Sequence, residues 1–309
     1  MSLFAGGLYK MSARLFLRAP LPSGPGRRRW FSSLPPAPHK PPSYRPPLPP
    51  ALVENGLQKY QWSSAAVFQS AVLGGVLLSL GGSVFVVVCE DTPSLRRENP
   101  GLHRLLGGLV FPMGLAMITL TSAHLLTSNF YFCSLPLLSG NPGFLSALRV
   151  CAASCAGNLC GSLCVALAVK HTIFSGEPAA YPWITALVEK KVYLSKTVAF
   201  VKAIGANFLV NVAVFMAFTS TTPAGKIASL WAPICCFVVL GLEHSVANMF
   251  LLPLGYMLGA DVEVGEIGSQ LVVVVLGNAV GALLLAILQG GSPRGLKALL
   301  APLLSLTKK

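Results

Sequence analysis

Six windows of the chain are apolar enough, and long enough, to cross a lipid bilayer as helices. They cover residues 62–89, 105–127, 150–169, 203–220, 227–258 and 267–288, and only the fifth contains an Asp, Glu, Lys or Arg. A transmembrane helix needs about 20 predominantly apolar residues. The composition agrees, since 53% of the 309 residues are hydrophobic, 11% are charged and the mean hydropathy is +0.67. We therefore predict an all-α, multi-pass membrane protein with six transmembrane helices and both chain ends on one side.

The fifth window holds one acidic residue, Glu243, directly followed by His244. A charged residue at the bilayer centre costs roughly 2.5–3.5 kcal/mol on the insertion scale, so this pair must face protein or water rather than lipid. Ionisable groups at this depth usually mark a transport path. The pair therefore predicts a pore, and a structural pair that joins two helices is the alternative.

The chain has a formal net charge of +13, and its first 53 residues hold eight Lys or Arg and no acid. Because the charge is concentrated there, it does not indicate nucleic-acid binding. Residues 1–50 hold half of the 24 prolines, which is typical of a disordered segment. Residues 27–33 resemble a mitochondrial presequence cleavage site, with cleavage after Phe31. We predict an organellar protein, in the mitochondrial inner membrane or a plastid envelope. A basic tail that stays attached, in a plasma-membrane protein, is the alternative.

The predicted domain organisation follows from these features. A targeting and Pro-rich segment covers residues 1–50, the six-helix domain covers 51–290, and a basic tail covers 291–309. Four of the eight cysteines, Cys151, Cys155, Cys160 and Cys164, share the third window at helical spacing without His or acidic residues. Small, weakly polar residues suit close helix packing in membranes, so we predict packing there rather than a metal or other cofactor site.

The two halves of the chain match at fixed offsets. An offset of 120 residues relates His124 to His244, residues 157–161 to 277–281, and Phe111 to Trp231. An offset near 132 relates residues 74–77 to 206–209. Each half then contains three spans, and an odd number forces the second copy to enter the membrane from the opposite face. The pattern predicts two inverted three-helix repeats with a site near the membrane midplane.

The second and fifth windows are predicted to be broken helices. Residues 121–129 interrupt the second window with hydroxyl, amide and imidazole groups, and residues 241–248 do the same in the fifth. Irregular backbone at this depth is tolerated where it is buried in protein or lines a wet cavity. The two histidines should therefore approach each other across the pseudo-twofold axis.

The segment 241–250, Gly-Leu-Glu-His-Ser-Val-Ala-Asn-Met-Phe, followed by Pro-Leu-Gly at 253–255, resembles the fifth-helix signature of the formate/nitrite transporter family. The resemblance extends through Lys191-Val192, residues 207–210 and residues 276–278, and it covers residues 57–288. It implies an aquaporin-like fold, five protomers around an axis, and one pore per protomer for small monovalent anions or their conjugate acids.

The same resemblance implies roles for individual residues. His244 matches the central pore histidine, Thr127 the threonine of the first break, Asn207 the pore asparagine and Lys191 the vestibule lysine. The apolar constrictions match Phe111, Leu115, Leu125 and Phe237. Glu243 and Asn248 belong to the predicted substrate pathway, with Glu243 pointing away from the pore towards backbone donors. Thr127 and Asn207 are expected to orient the imidazole or to contact the substrate.

The first break departs from the family pattern. It usually reads Gly-Ala-x-Leu-Phe-Thr with an acid common at x, whereas this chain has Ser122 for Gly, His124 at x and Leu126 for Phe. The substitutions leave the physiological substrate open among formate, nitrite, hydrosulfide, acetate and lactate. His124 is either a second pore residue or a structural histidine.

Three other functions are less consistent with the sequence than anion transport. An aquaporin-like channel for neutral solutes would carry paired Asn-Pro-Ala motifs, whereas residues 99–101 and 141–143 read Asn-Pro-Gly and are typical of turns. An intramembrane enzyme would need a catalytic motif such as His-Glu-x-x-His or Gly-x-Ser-x-Gly, which the sequence lacks. A purely structural membrane protein has no need of two broken spans. We therefore predict a transporter or channel for small anions, which cross as the protonated acid past a central histidine. Transport is coupled to protons if the proton leaves with the substrate, and the protein behaves as a channel if the proton returns.

Overall fold

The structure, a computed structural model, describes residues 50–177 and 180–290. The predicted targeting segment, with its cleavage motif at 27–33, and the predicted basic tail at 291–309 lie outside the described residues, except that Pro50 begins the first helix. The domain boundaries therefore stay a prediction at both ends of the chain.

The described residues form twelve α-helices. In chain order they are α1 (Pro50–Gln61), α2 (Ser64–Glu90), α3 (Pro93–Glu98), α4 (Pro100–Val110), α5 (Pro112–Thr121), α6 (Leu126–Leu138), α7 (Phe144–Thr172), α8 (Pro182–Val192), α9 (Lys196–Thr219), α10 (Pro223–Val239), α11 (Ser245–Met257) and α12 (Val264–Leu288).

Five helical segments of the described residues are long and apolar enough to span a membrane. They are α2, the continuous stretch Pro100–Thr121 formed by α4 and α5, α7, α9 and α12. The fifth predicted window does not form one long helix, because the chain leaves the helical conformation at residues 240–244 and divides the window into α10 and α11. The prediction of an all-helical, multi-pass membrane protein is confirmed. The inverted order of the two repeats stays a prediction.

Two helix pairs pack at close range through glycine. Helix α2 packs on α7, and α9 packs on α12. A Cβ atom on Gly161 would collide with the carbonyl oxygen of Val72, and one on Gly281 would collide with that of Ile204. These contacts repeat at the predicted offsets of 120 and 132 residues. Glycine is therefore needed at both positions to let the backbones approach.

Both predicted breaks are present. The first separates Thr121 from α6 and the second separates Val239 from α11. Ser122 (φ 57°) and Gly241 (φ 62°) both adopt the left-handed conformation, which costs a residue with a Cβ atom roughly 1–2 kcal/mol. The serine that replaces the usual glycine therefore keeps the turn but strains it. Of the short helices that follow, α6 is buried at every residue except Phe130, and α11 is buried without interruption from Ser245 to Leu252.

The register of the two breaks corrects one prediction. Leu125 (φ −118°, ψ 125°) and His244 (φ −118°, ψ 122°) hold the same place before α6 and α11, and they are 119 residues apart. The counterpart of His244 is therefore Leu125, and that of His124 is Glu243. The predicted match of the two histidines was wrong by one residue, because the second half has one more residue between its break and Asn278 than the first has before Asn158.

Candidate functional site

Two buried asparagines hold the breaks in place. Asn278 Oδ1 accepts a hydrogen bond from the Ser245 N–H (2.8 Å), and its Nδ2 donates to the carbonyl oxygens of Ala203 (2.8 Å) and Glu243 (3.0 Å). The side chain thus satisfies the backbone groups on either side of His244 and ties them to α9. Such groups have no water to bond in a bilayer, so a partner of this kind is required.

Asn158 makes the same three bonds in the first half. Its Oδ1 accepts from the Leu126 N–H (2.7 Å), and its Nδ2 donates to the carbonyl oxygens of Ala71 (2.7 Å) and His124 (3.0 Å). Both asparagines were visible in the sequence as the repeated Gly-Asn pair, although their contacts to the breaks were not predicted.

His244 is buried and occupies the N-cap position of α11. Its Nδ1 accepts a hydrogen bond from the Ala247 N–H (3.2 Å), and its Nε2 lies 3.0 Å from Thr127 Oγ1. Because Nδ1 is an acceptor here, the neutral ring carries its proton on Nε2 and donates it to the threonine hydroxyl. A second proton on Nδ1 would break the cap and place a positive charge at a helix N-terminus. The geometry therefore favours a neutral imidazole that acts as a donor.

Thr127 is held by two asparagines of α9. The Thr127 carbonyl oxygen accepts from Asn207 Nδ2 (3.1 Å) and from Asn211 Nδ2 (3.3 Å). Asn207 Nδ2 also donates to the Asn278 carbonyl (2.7 Å). The hydrogen bonds of Asn207 thus reach the backbone of Thr127 and not the imidazole. Asn207 therefore reaches His244 only through Thr127, whereas the sequence predicted a direct contact with the imidazole or the substrate.

Glu243 forms an ion pair with Lys191. The lysine Nζ lies 2.9 Å from both carboxylate oxygens, and Asn248 Nδ2 donates to Glu243 Oε2 (2.8 Å). The carboxylate therefore binds two side chains. The prediction that it bonds backbone donors of the break was wrong, because Asn278 and His244 already satisfy those donors.

Three cavities follow one another along Pro100–Thr121. The first, of about 500 Å³, is lined by His103 near the start of this segment. The second, of about 80 Å³, is lined by Phe111 and His244. The third, of about 220 Å³, is lined by Ser122 just beyond its end. Because this segment is long enough to cross a bilayer, the first and third cavities open towards opposite faces of the membrane.

Helix α10 runs past the same cavities in the reverse direction. Lys226 near its start lines the third cavity, Phe237 lines the second and Val239 at its end lines the first. The segment Pro100–Thr121 and the antiparallel helix α10 thus place the three cavities in the same order. We call the first cavity the Lys191 vestibule, the second the central cavity and the third the Lys59 vestibule, after a lysine that lines it.

Aromatic rings narrow the path at the central cavity. The rings of Phe111 and Phe237 meet edge to face with centroids 5.7 Å apart, and the Phe237 and His244 centroids are 5.9 Å apart. Leu115 and Leu125, the other two predicted constriction residues, are buried and line the Lys59 vestibule. The four predicted constriction residues thus line the central cavity or the neighbouring Lys59 vestibule, in the same row of cavities as His244.

The predicted site residues mostly come together. Lys191, His244 and Asn248 line the central cavity, and Glu243 lines the Lys191 vestibule next to it. Asn207 and Thr127 are fully buried behind this surface. Lys59 was missed, although it stands 132 residues before Lys191, which is the offset already seen between the first and fourth windows. Among the described residues, no cluster of three or more His, Cys, Asp or Glu is suited to hold a metal ion.

Comparison with known proteins identifies the family of the chain. A family model described as formate/nitrite transporter matches residues 50–289. The chain belongs to the formate/nitrite transporter family. Its members are channels and transporters, so an enzymatic function is excluded at the level of the family.

Individual members of the formate/nitrite transporter family resemble the chain over most of its length. The probable formate transporter of Methanothermobacter thermautotrophicus is 35% identical over 224 residues, which are 68% of this chain and 81% of that protein. Formate channel BtFdhC of Bacillus thuringiensis is 30% identical over 231 residues, 74% of this chain and 87% of the relative. A solved structure of a pentameric formate channel with formate bound superposes with a TM-score of 0.65 at 26% identity, covering 73% of this chain and 95% of that one.

Proposed function

We propose that this formate/nitrite transporter family protein carries small monovalent anions, formate or nitrite among them, and that they cross the central cavity as the protonated acid. One observation supports the proposal most: His244, whose Nε2 lies 3.0 Å from Thr127 Oγ1, lines a narrow cavity beside Phe111 and Phe237, between two larger cavities that are lined by lysine. Relatives described as a formate transporter and a formate channel support the choice of substrate class.

The free energies favour the neutral acid in the central cavity. Moving a carboxylate-sized ion into a medium of low dielectric constant costs on the order of 20 kcal/mol as an idealised upper bound. Protonating a carboxylate with a pKa near 4 at neutral pH costs only about 4 kcal/mol. A bare anion would therefore stall at Phe111 and Phe237, whereas the acid would pass.

The residues of the path would then share the work. Lys191, with the other basic side chains of its vestibule, raises the local concentration of the anion. His244 donates a hydrogen bond from Nε2 to an oxygen of the passing substrate and so takes the place of water. When no substrate is present, Thr127 Oγ1 accepts this hydrogen bond. Asn207 positions Thr127 by donating a hydrogen bond to the Thr127 carbonyl oxygen, and Glu243 holds the Lys191 ammonium in place. Proton-coupled transport follows if the proton leaves with the substrate.

We infer a homopentamer with one pore in each protomer, which the pentameric formate channel of similar fold supports. The apolar outer surface of the protomer, exemplified by Leu145 and Val272, would then face lipid or neighbouring copies. This assignment places the bilayer and four further copies of the chain among the partners.

A flux assay on the purified full-length chain tests the function. Proteoliposomes are supplied with labelled formate, nitrite, acetate, lactate or glycerol at two pH values about one unit apart. Well above its pKa the neutral fraction of an acid changes about tenfold per pH unit, so we expect formate uptake to rise by up to tenfold at the lower pH. Swelling with glycerol in the absence of formate uptake would favour the aquaporin-like alternative and contradict the proposal.

We further propose an organellar membrane, on the strength of the acid-free, Arg-rich start of the chain. The mature protein is then expected to begin near Ser32, after removal of the preceding segment. N-terminal sequencing of the protein from its native membrane measures this directly. A mature chain that begins at Met1 would keep the N-terminal basic segment and contradict the presequence on which the organellar proposal rests.

A further inference from the structure

A short neck joins the Lys191 vestibule to the central cavity. We define the neck by the residues that line both spaces, which are Phe85, Leu187, Lys191, Val238 and Gly241. Apart from the lysine, whose ammonium the Glu243 carboxylate holds at 2.9 Å, these residues have no ionisable side chain. Phe85 of α2 supplies the only ring among the five. It was not among the constriction residues that the sequence predicted.

The Phe85 ring lies between aromatic side chains of the two spaces. Its centroid is 5.3 Å from that of Trp183, which lines the vestibule, and 5.7 Å from that of Phe111, which lines the central cavity. Both contacts are edge to face, which is a geometry that aromatic pairs prefer. The row of rings continues through Phe237 to His244. The Phe85 ring therefore cannot turn without displacing its neighbours in both spaces.

Helix α4 supports the Phe85 ring from outside the path. Gly107 of this helix lines neither cavity, and a Cβ atom there would lie 2.7 Å from Phe85 Cε2, which is shorter than van der Waals contact. The ring therefore has no room to withdraw towards α4. Because protein interiors are close-packed, a side chain held in this way keeps one position.

The fold itself does not require a ring at this position. The offset of 132 residues that relates α2 to α9 places Ala217 at the counterpart of Phe85. Ala217 is buried and lines the Lys59 vestibule. The second half of the chain thus forms the same helix with a methyl group where the first half has a phenyl ring. The ring is therefore better explained by what passes the neck than by the stability of the repeat.

We propose that Phe85 selects the substrate by size at the neck and favours formate over larger monocarboxylates such as lactate. A ring that cannot move aside sets a fixed opening, and each additional carbon of the acid must be accommodated against it. One methylene group at an apolar contact changes discrimination by about 10- to 200-fold. The inference rests on the proposed function and narrows the substrate within the same class of small monovalent acids.

Uptake of labelled formate and labelled lactate by the same proteoliposomes, made with the full-length chain, tests the role of Phe85. Phe85→Ala removes the ring and is expected to raise the ratio of lactate uptake to formate uptake about tenfold. The ratio does not depend on how much of the variant folds, because both acids are measured on one preparation. Phe68→Ala changes an exposed phenylalanine of the same helix and should keep the wild-type ratio. A ratio that is unchanged in Phe85→Ala, or that rises equally in Phe68→Ala, overturns the inference.

A second variant acts in the opposite direction. Gly107→Ala adds a methyl group that pushes the Phe85 ring towards the neck, so the ratio of acetate uptake to formate uptake should fall by up to about tenfold. In the Phe85→Ala background the methyl group has no ring to displace and should leave the ratio unchanged. An equal fall in both backgrounds would show that Phe85 does not transmit the effect and would overturn the inference.

The inference and the proposed function fail differently in these assays. A wild type that takes up none of the acids contradicts the function. A wild type that takes up formate, with a lactate-to-formate ratio insensitive to Phe85, contradicts only the inference.

Discussion

Replacing His244 by phenylalanine is expected to lower formate uptake about 10- to 100-fold at every pH at which the wild type is active. The phenyl ring keeps the path apolar but removes the Nε2 donor that lies 3.0 Å from Thr127 Oγ1. A hydrogen bond to a charged or strongly polar group contributes about 1.5–3 kcal/mol, and each 1.4 kcal/mol in the barrier changes the rate about tenfold. Uptake of labelled formate into proteoliposomes is the measurement.

A second variant separates transport from folding. His244 also caps α11 by accepting from the Ala247 N–H, and asparagine is a good residue for this position. His244→Asn should therefore keep the thermal stability of the wild type while its uptake falls, whereas His244→Phe should lose about 1 kcal/mol of stability as well. Wild-type uptake in both variants would show that the imidazole plays no part in transport.

The helical architecture could be predicted from sequence because it depends on local patterns. Apolar windows predicted the membrane-spanning helices, and clusters of Ser, Thr, Asn and His predicted the two breaks at their observed places. Hydropathy could not show that the fifth window divides into two helices too short to count as spans. The division depends on Gly241 at positive φ, and nothing in an average over the window reports a backbone angle.

The candidate site was harder to predict because its contacts join distant parts of the chain. The His244–Thr127 and Lys191–Glu243 contacts cross 117 and 52 residues, and the family resemblance selected their members without giving the partners. The one-residue shift between the repeats concealed that His124 corresponds to Glu243.

The bonds made by Asn158 and Asn278 indicate which side chains the broken helices depend on. Each asparagine bonds one backbone N–H and one carbonyl group of a break, and it also donates to a carbonyl group of the neighbouring helix, Ala71 of α2 or Ala203 of α9. Since the two sets of bonds match in kind and in length, the two substitutions to alanine should be equally harmful.

We expect Asn278→Ala and Asn158→Ala each to lower the free energy of unfolding by about 2–5 kcal/mol, because three hydrogen bonds are lost and two backbone groups of the break are left unsatisfied. Thermal unfolding of the purified oligomer in detergent measures the loss. Ser162→Ala is the matched control: it lies one turn beyond Asn158 on α7, and its buried hydroxyl oxygen has no partner, so its removal should change stability by less than about 1 kcal/mol. A loss in the control as large as in Asn158→Ala would mean that helix packing in general, and not the bracing of the breaks, sets the stability. Asparagine variants that unfold like the wild type would mean that the breaks hold their shape through α6 and α11 alone.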